Sequence, residues 1–295
     1  MEIDAFKLLK TDTIKVLQKG FVKLIECNPR FAIESRGSIE HSIVQFARTS
    51  TLTGLKTIED DNNLIRYLYE NRHTSPFESV EFTFLIKCPL FVAIHFLRHR
   101  TASINQQSAR YSKITDEFYT PTTMTSDDVP GSGIRMQSMV NKQSSDESII
   151  TDEVFKLFED MEAHTEEIYK LYEMALKKGV AREVARFCIP QSVFTEFHYK
   201  MDLNNLLKLF SLRCEKSAQA ETRVVANAML ELIKDLIPVT YECFMSSING
   251  MSFSDIEVLG LSKRTNPYPV SKKRKREEFE RKAKSLNIDL IKDGA

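Results

Sequence analysis

Apolar positions along this chain follow two spacings in turn. From Gly20, the run Phe21-Val22-Lys23-Leu24-Ile25-Glu26 has the composition of a strand. Gly37 and Ser38 then lead into a helix through about Arg48, with Ile39, Ile43, Val44 and Ala47 at helical spacing. Leu64, Ile65, Leu68 and Tyr69 mark a second helix, for which Asp60 or Asp61 is the expected cap. β-Branched and aromatic residues fill Val80 to Ile86, a strand that Pro89 should end, and Phe91 to His99 follows as a buried helix. Tyr111 to Tyr119 reads as strand or loop. Asp152 to Lys178 predicts a helix, and another runs through Val184 and Cys188 until Pro190. Val193 to Tyr199 predicts a strand. Two or three helices occupy Leu203 to Ser247, with Leu206, Leu207, Leu209 and Phe210 in the first. The order predicts an α+β fold, a mixed β-sheet flanked by helices in a single large domain.

Three stretches stand outside that pattern. Residues 1–18 have mixed charge and no turn residues, and read as an N-terminal extension of helical leaning. Residues 121–149, rich in Thr, Ser, Asp, Gly and Pro and without aromatics, read as a mobile insert. Past Gly260 the composition shifts: residues 262–284 hold ten Lys/Arg against three Glu, including Lys272 to Arg276. A solvated, partly helical charged tail over 261–295 is the preferred reading of that run; a nuclear-import signal or a nucleic-acid arm is the alternative. The main domain is thereby placed at 19–260.

Composition narrows the class. The 295 residues carry 41 Lys+Arg against 41 Asp+Glu, so attraction for a polyanion must come from a local patch. The longest apolar stretch, Cys88 to Leu97, is about half a membrane span. The first residues have no basic-then-apolar order, so no secretory signal is expected. Five cysteines lie far apart with no C-x-x-C pair, which reads as reduced intracellular thiols and neither zinc nor disulfides. His95 and His99, four apart, lack a third ligand nearby, so a metal is not expected there.

The chemistry concentrates in Arg98-His99-Arg100-Thr101-Ala102-Ser103-Ile104-Asn105-Gln106-Gln107-Ser108-Ala109-Arg110-Tyr111. Guanidinium groups match phosphates bidentately, and Ser, Asn and Gln can read the edge of a heterocycle. Basic groups at a helix end also complement its dipole, which would explain Arg98 to Arg100 alone. Nothing about a helix end calls for Ser103, Asn105, Ser108 and Arg110 as well.

Arg98-His99-Arg100, seven residues, then Ser108 resembles the signature of the flavin-dependent thymidylate synthases. Ser103, Asn105, Arg110 and Tyr111 extend the likeness. His73-Thr74-Ser75-Pro76-Phe77-Glu78, Gly179 to Arg186 with Pro190, and Leu209-Phe210-Ser211-Leu212-Arg213 resemble three further segments of that family, in order. The resemblance spans roughly residues 19–250. It implies an enzyme that methylates deoxyuridylate (dUMP) reductively to thymidylate (dTMP). Methylenetetrahydrofolate would supply the carbon and NADPH would reduce a bound FAD, so the protein's part is to bind, orient and polarise. It also implies a homotetramer with shared active sites.

By the same resemblance Ser75, Arg98, His99, Arg100, Asn105, Gln106, Asn204 and Lys208 would hold FAD. The nucleotide would meet His95, Arg98, Gln106, Gln107, Ser108, Ala109, Arg110, Arg186 and Arg213. Arg213, Ser108 and His73 would act nearest the chemistry, Arg213 favouring ionisation of the uracil imide. The chain departs from the family at His95, where Gln is usual, and at Gln106, where Glu is common. It departs again at Asp202 and Asn204, at Lys208 and at Ser217. A folate-dependent synthase with a cysteine nucleophile is disfavoured, because no Pro-Cys-His context exists. A nucleic-acid module is disfavoured too, because no aromatic platform or groove helix accompanies the basic residues. A cytoplasmic enzyme is expected, with nuclear import through Lys272 to Arg276 not favoured.

Overall fold

The structure is a computed structural model and describes residues 1–121, 133–138, 145–146, 151–249, 257–258, 261, 263, 265–268 and 273–290. Strands are β1 (Glu2–Asp4), β2 (Thr13–Val16), β3 (Gly20–Asn28), β4 (Phe31–Ile33), β5 (Glu81–Pro89), β6 (Ser103–Gln106), β7 (Met136–Gln137), β8 (Ser145–Asp146) and β9 (Phe194–Asp202). Helices are α1 (His41–Arg48), α2 (Ile58–Glu70), α3 (Leu90–Leu97), α4 (Asp152–Lys177), α5 (Arg182–Ala185), α6 (Leu203–Arg213), α7 (Ala220–Ile233) and α8 (Pro238–Asn249).

The main sheet has five strands in the order β2-β3-β5-β9-β6, and every pairing is antiparallel. The α+β class is as expected. β5 and β9 are the long central strands, in register from Glu81 opposite Asp202 to Pro89 opposite Phe194. Their alternation turns Phe82, Phe84, Ile86, Phe197, Tyr199 and Met201 inward, all buried. Each such side chain contributes about 1.5–3 kcal/mol on burial. α7 closes this face with Val225, Ala226, Met229 and Ile233, and α3 adds Val92 and Phe96.

Several local expectations change. Residues 1–18 are no appendage: β2 forms the edge of the main sheet beside β3, and β1 pairs with β4. Gly20 is closely packed on both sides: a Cβ there would sit 2.8 Å from the Val16 carbonyl oxygen across the β2–β3 hairpin and 2.5 Å from that of Lys87 in β5. Thr57, not Asp60 or Asp61, caps α2 by accepting the Asp60 N–H at 3.1 Å. Asp61 is instead buried between Arg36 and Arg48, at 2.8 and 2.6 Å. Residues 111–119 are loop with one bridge, Phe118 to Val193. Most of the expected insert, 122–132, 139–144 and 147–149, lies outside the described residues; within its span Ile134 and Ser138 are buried.

Met1–Cys243 and Phe244–Ala295 form two compact units. In the second, a helix over Lys273–Ser285 buries Phe279 and Ala283, and Tyr268 meets Phe279 edge-on. The tail is thus not wholly solvated, because the two apolar residues stand four apart on one helix face. Lys272 lies outside the described residues.

Candidate active site

The long strand β5 sets the site. Pro89 ends it and the chain turns at once into α3, whose apolar residues dock on the sheet. Tyr199 supports the helix end, its hydroxyl donating to the Phe96 carbonyl oxygen at 3.5 Å. Arg98, His99 and Arg100 follow at that end, with Arg98 and Arg100 exposed and His99 half-buried. The chain then joins the sheet edge as β6, where Asn105 stands opposite His198 and Gln106 opposite Phe197.

β6 and the loop after it are fastened to β9. Gln106 Nε2 donates to Thr195 Oγ1 at 2.9 Å, and the Gln107 N–H donates to the Glu196 carbonyl oxygen at 2.8 Å. Gln107 Nε2 also reaches Ser112 Oγ at 3.4 Å. Ser108 closes the turn: its carbonyl oxygen accepts from the Tyr111 and Ser112 N–H groups, and its hydroxyl accepts the Arg110 N–H at 3.3 Å. Ala109 sits inside that turn, half-buried. Arg110 Nε lies 3.0 Å from Glu183 Oε2 on α5, and Arg182 donates to the Tyr111 carbonyl oxygen. Arg186 follows on the same segment, exposed.

The third contributor is the last residue of α6. Asp202 caps that helix by accepting the Asn205 N–H at 3.0 Å. Arg213 at its far end donates through Nε to His99 Nε2 at 3.1 Å and through a terminal nitrogen to the His95 carbonyl oxygen at 3.4 Å. Burial, then the positive Arg213, push the pKa values of His95 and His99 below the usual imidazole range; Glu221 partly offsets this at His95. Segments 95–111, 182–186 and 213 therefore meet, although 118 residues separate His95 from Arg213.

The remaining predicted residues form a separate group. His73 follows α2, exposed, with its ring edge-on to Tyr67 at 5.8 Å. Ser75 is exposed at the start of a short 3₁₀ turn that buries Pro76 and Phe77. Asn204 is buried and donates to Glu78 Oε1 at 3.2 Å, which ties α6 to this turn. Lys208 is exposed on α6. Among the described residues no hydrogen bond links this group directly to the Arg98–Arg110 string.

Sequence reasoning gave no role to Thr195, Glu183 or Glu78, the protein partners of Gln106, Arg110 and Asn204. Each partner lies tens of residues away, where no spacing rule reaches. Arg98, Arg100, Arg186 and Arg213 have no carboxylate partner among the described residues, whereas the half-buried Arg36 and the buried Arg48 share Asp61. Uncompensated cations beside amides and hydroxyls fit a cofactor or substrate that carries phosphates.

A family model described as thymidylate synthase complementing protein matches residues 33–239. A flavin-dependent thymidylate synthase of Dictyostelium discoideum is 38% identical over 274 residues, covering 92% of this chain and 87% of its own. One from Thermus thermophilus is 41% identical over 232 residues, 79% of this chain and 78% of its own. Among solved structures, the UMP/dUMP methylase PolB from Streptomyces cacaoi, bound with 5-Br dUMP, superposes with a TM-score of 0.66. It is 28% identical and covers 79% of this chain and 97% of that one. Fold, site and relatives define an enzyme of the methyltransferase class. The chain belongs to the flavin-dependent thymidylate synthase family.

Proposed function

We propose that this protein methylates dUMP to dTMP, taking the carbon from methylenetetrahydrofolate and using FAD reduced by NADPH. The observation that carries the reading is Arg213: a half-buried guanidinium held by two neutral acceptors, with no carboxylate to balance it among the described residues. Such a group stabilises negative charge that develops on a ligand, and it stays protonated throughout. The uracil imide is a weak acid, and charge builds in the ring as its carbon attacks the methylene donor. Arg213 would bind and stabilise that charge.

Arg110 and Arg186 would take the nucleotide phosphate, with Gln106, Gln107, Ser108 and Ala109 orienting the ring. Arg98 would contact both ligands. Ser75, Arg98, His99, Arg100, Asn105, Asn204 and Lys208 would hold FAD, with His73 nearby. Bound FAD, reduced by NADPH, supplies the two electrons that turn the transferred methylene into a methyl group.

No cysteine serves as nucleophile in this reading. Burial pushes the Cys27 and Cys214 thiols up to about 12 and raises Cys88 further. Such thiols are inert at neutral pH. The working form is a homotetramer in which subunits share sites. Its support is the apolar surface left beside the motif: Phe187 is 87% exposed, Tyr111 83% and Val184 56%. We place the enzyme in the cytoplasm, in keeping with five free cysteines. No helix among the described residues is long and apolar enough to cross a membrane.

The test is direct. Purified protein should show flavin absorbance that NADPH bleaches without oxygen, and dUMP with methylenetetrahydrofolate should then restore it and yield dTMP. FAD-saturated protein that forms no dTMP, or forms it equally without folate, would overturn the reading.

A further inference from the structure

Arginine carries five donors and no acceptor, and it keeps its proton in proteins. Arg213 Nε donates to His99 Nε2 at 3.1 Å, so that ring nitrogen must be bare. His99 is then neutral, with its proton on Nδ1. We infer that His99 is a positioning residue: its neutral Nδ1–H form pins the Arg213 guanidinium at Nε, so that the terminal N–H groups not taken by the His95 carbonyl oxygen face the nucleotide ring. This rests on the assignment of Arg213 to the uracil.

The surroundings support the same proton placement. Burial and the adjacent guanidinium both disfavour imidazolium at His99, and no acid group opposes them there. Arg213 from α6 is the charged group set against His99. Arg98 and Arg100 adjoin it in sequence, His95 stands four residues before it with Glu221 acting on that ring, and Tyr199 of β9 bonds the same helix end. The second anchor is the His95 carbonyl oxygen, a main-chain acceptor that no side-chain change removes. A long side chain with many rotamers is thus fixed at two points before any ligand arrives, and that ordering need not be paid for in the reaction. A proton on Nε2 would set donor against donor and release the guanidinium.

Two measurements test this on the full-length protein. Histidine ¹⁵N spectra at pH 7.5, with the signal assigned by its loss in His99→Gln, should show His99 neutral with a bare Nε2. A protonated Nε2, alone or in an imidazolium, overturns the inference whether or not the enzyme makes dTMP. In turnover, His99→Leu should lose roughly 10-fold or more in rate at saturating dUMP, the worth of one charge-assisted hydrogen bond. His99→Gln, which keeps an acceptor, should recover most of it at equal flavin content. In an Arg213→Ala background, His99→Leu should cost little more, because the pair acts as one unit. Equal deficits in Leu and Gln, or losses that multiply in the double variant, would assign His99 to the flavin alone.

Discussion

Arg110 Nε and Glu183 Oε2 lie 3.0 Å apart, with side chains 59% and 53% exposed. A pair this open contributes no more than about 1 kcal/mol. A phosphate offers the guanidinium a stronger, bidentate partner. The nucleotide should therefore outcompete Glu183. Arg110→Ala should raise the KM for dUMP by roughly 10- to 100-fold with a smaller change in kcat. An unchanged KM would take the phosphate away from this residue.

Arg213→Ala should slow turnover by about 10- to 100-fold, and Arg213→Lys should restore only part, since lysine lacks the planar fork. Flavin binding should persist. Single-turnover oxidation of reduced enzyme, with nucleotide and folate saturating, measures this. A rate equal to wild type in Arg213→Ala would leave the residue as a helix-end cation.

Asp61 is 1% exposed and bridges Arg36 and Arg48 while accepting the Lys56 N–H at 3.2 Å. Removing the carboxylate strands two guanidinium groups. Asp61→Ala should cost about 3–5 kcal/mol in denaturant unfolding. A cost below about 1 kcal/mol would show that the two arginines find other partners.

His95 and His99 should make stability depend on pH. Both have folded pKa values below the ordinary 6.5. As pH falls through about 6.5, the unfolded chain takes up protons there that the folded protein resists. The unfolded state then binds more protons, so stability declines from about pH 6.5 down toward the folded values. Urea titrations at pH 7.5, 6.5 and 5.5 should show the decline, and His99→Gln should shrink it. Identical slopes in both proteins would remove His99 from the effect.

Replacing Cys27, Cys88, Cys188, Cys214 and Cys243 by Ala, one at a time, should leave dTMP formation in every folded variant. Burial raises the thiol pKa at Cys27, Cys88, Cys214 and Cys243. One variant with intact fold and flavin but no turnover would point to a covalent mechanism.

The central strands and helices were legible because period and propensity agree there: Phe82, Phe84 and Ile86 alternate, and Ile65 and Leu68 recur at helical spacing. β2 was missed because Thr13-Ile14-Lys15-Val16 is short and gains its stability from pairing with β3. β6 was missed for the same reason, its partner lying some 90 residues on in β9. The Arg98–Arg110 string stood out by chemistry that no helix end requires. The contact between His99 and Arg213 left no local trace, because it depends on where α6 ends relative to α3. Tail burial at Phe279 and Ala283 was hidden by the surrounding charge.

The Gln107 N–H, donating to the Glu196 carbonyl oxygen, fixes the phase of the β6–β9 ladder. Antiparallel pairs alternate, so Ser103 and Asn105 also face β9 with their backbone groups. Those of Ile104 and Gln106 turn the other way, off the sheet edge. A stretch chosen for its side chains thus holds a second set of donors and acceptors in the main chain itself. Alanine scanning is blind to that set, since Ala keeps every amide. Replacing the amide of Ile104 or Gln106 by an ester deletes one outward N–H and leaves the side chains standing, so it reads out what the peptide backbone alone contributes to recognition.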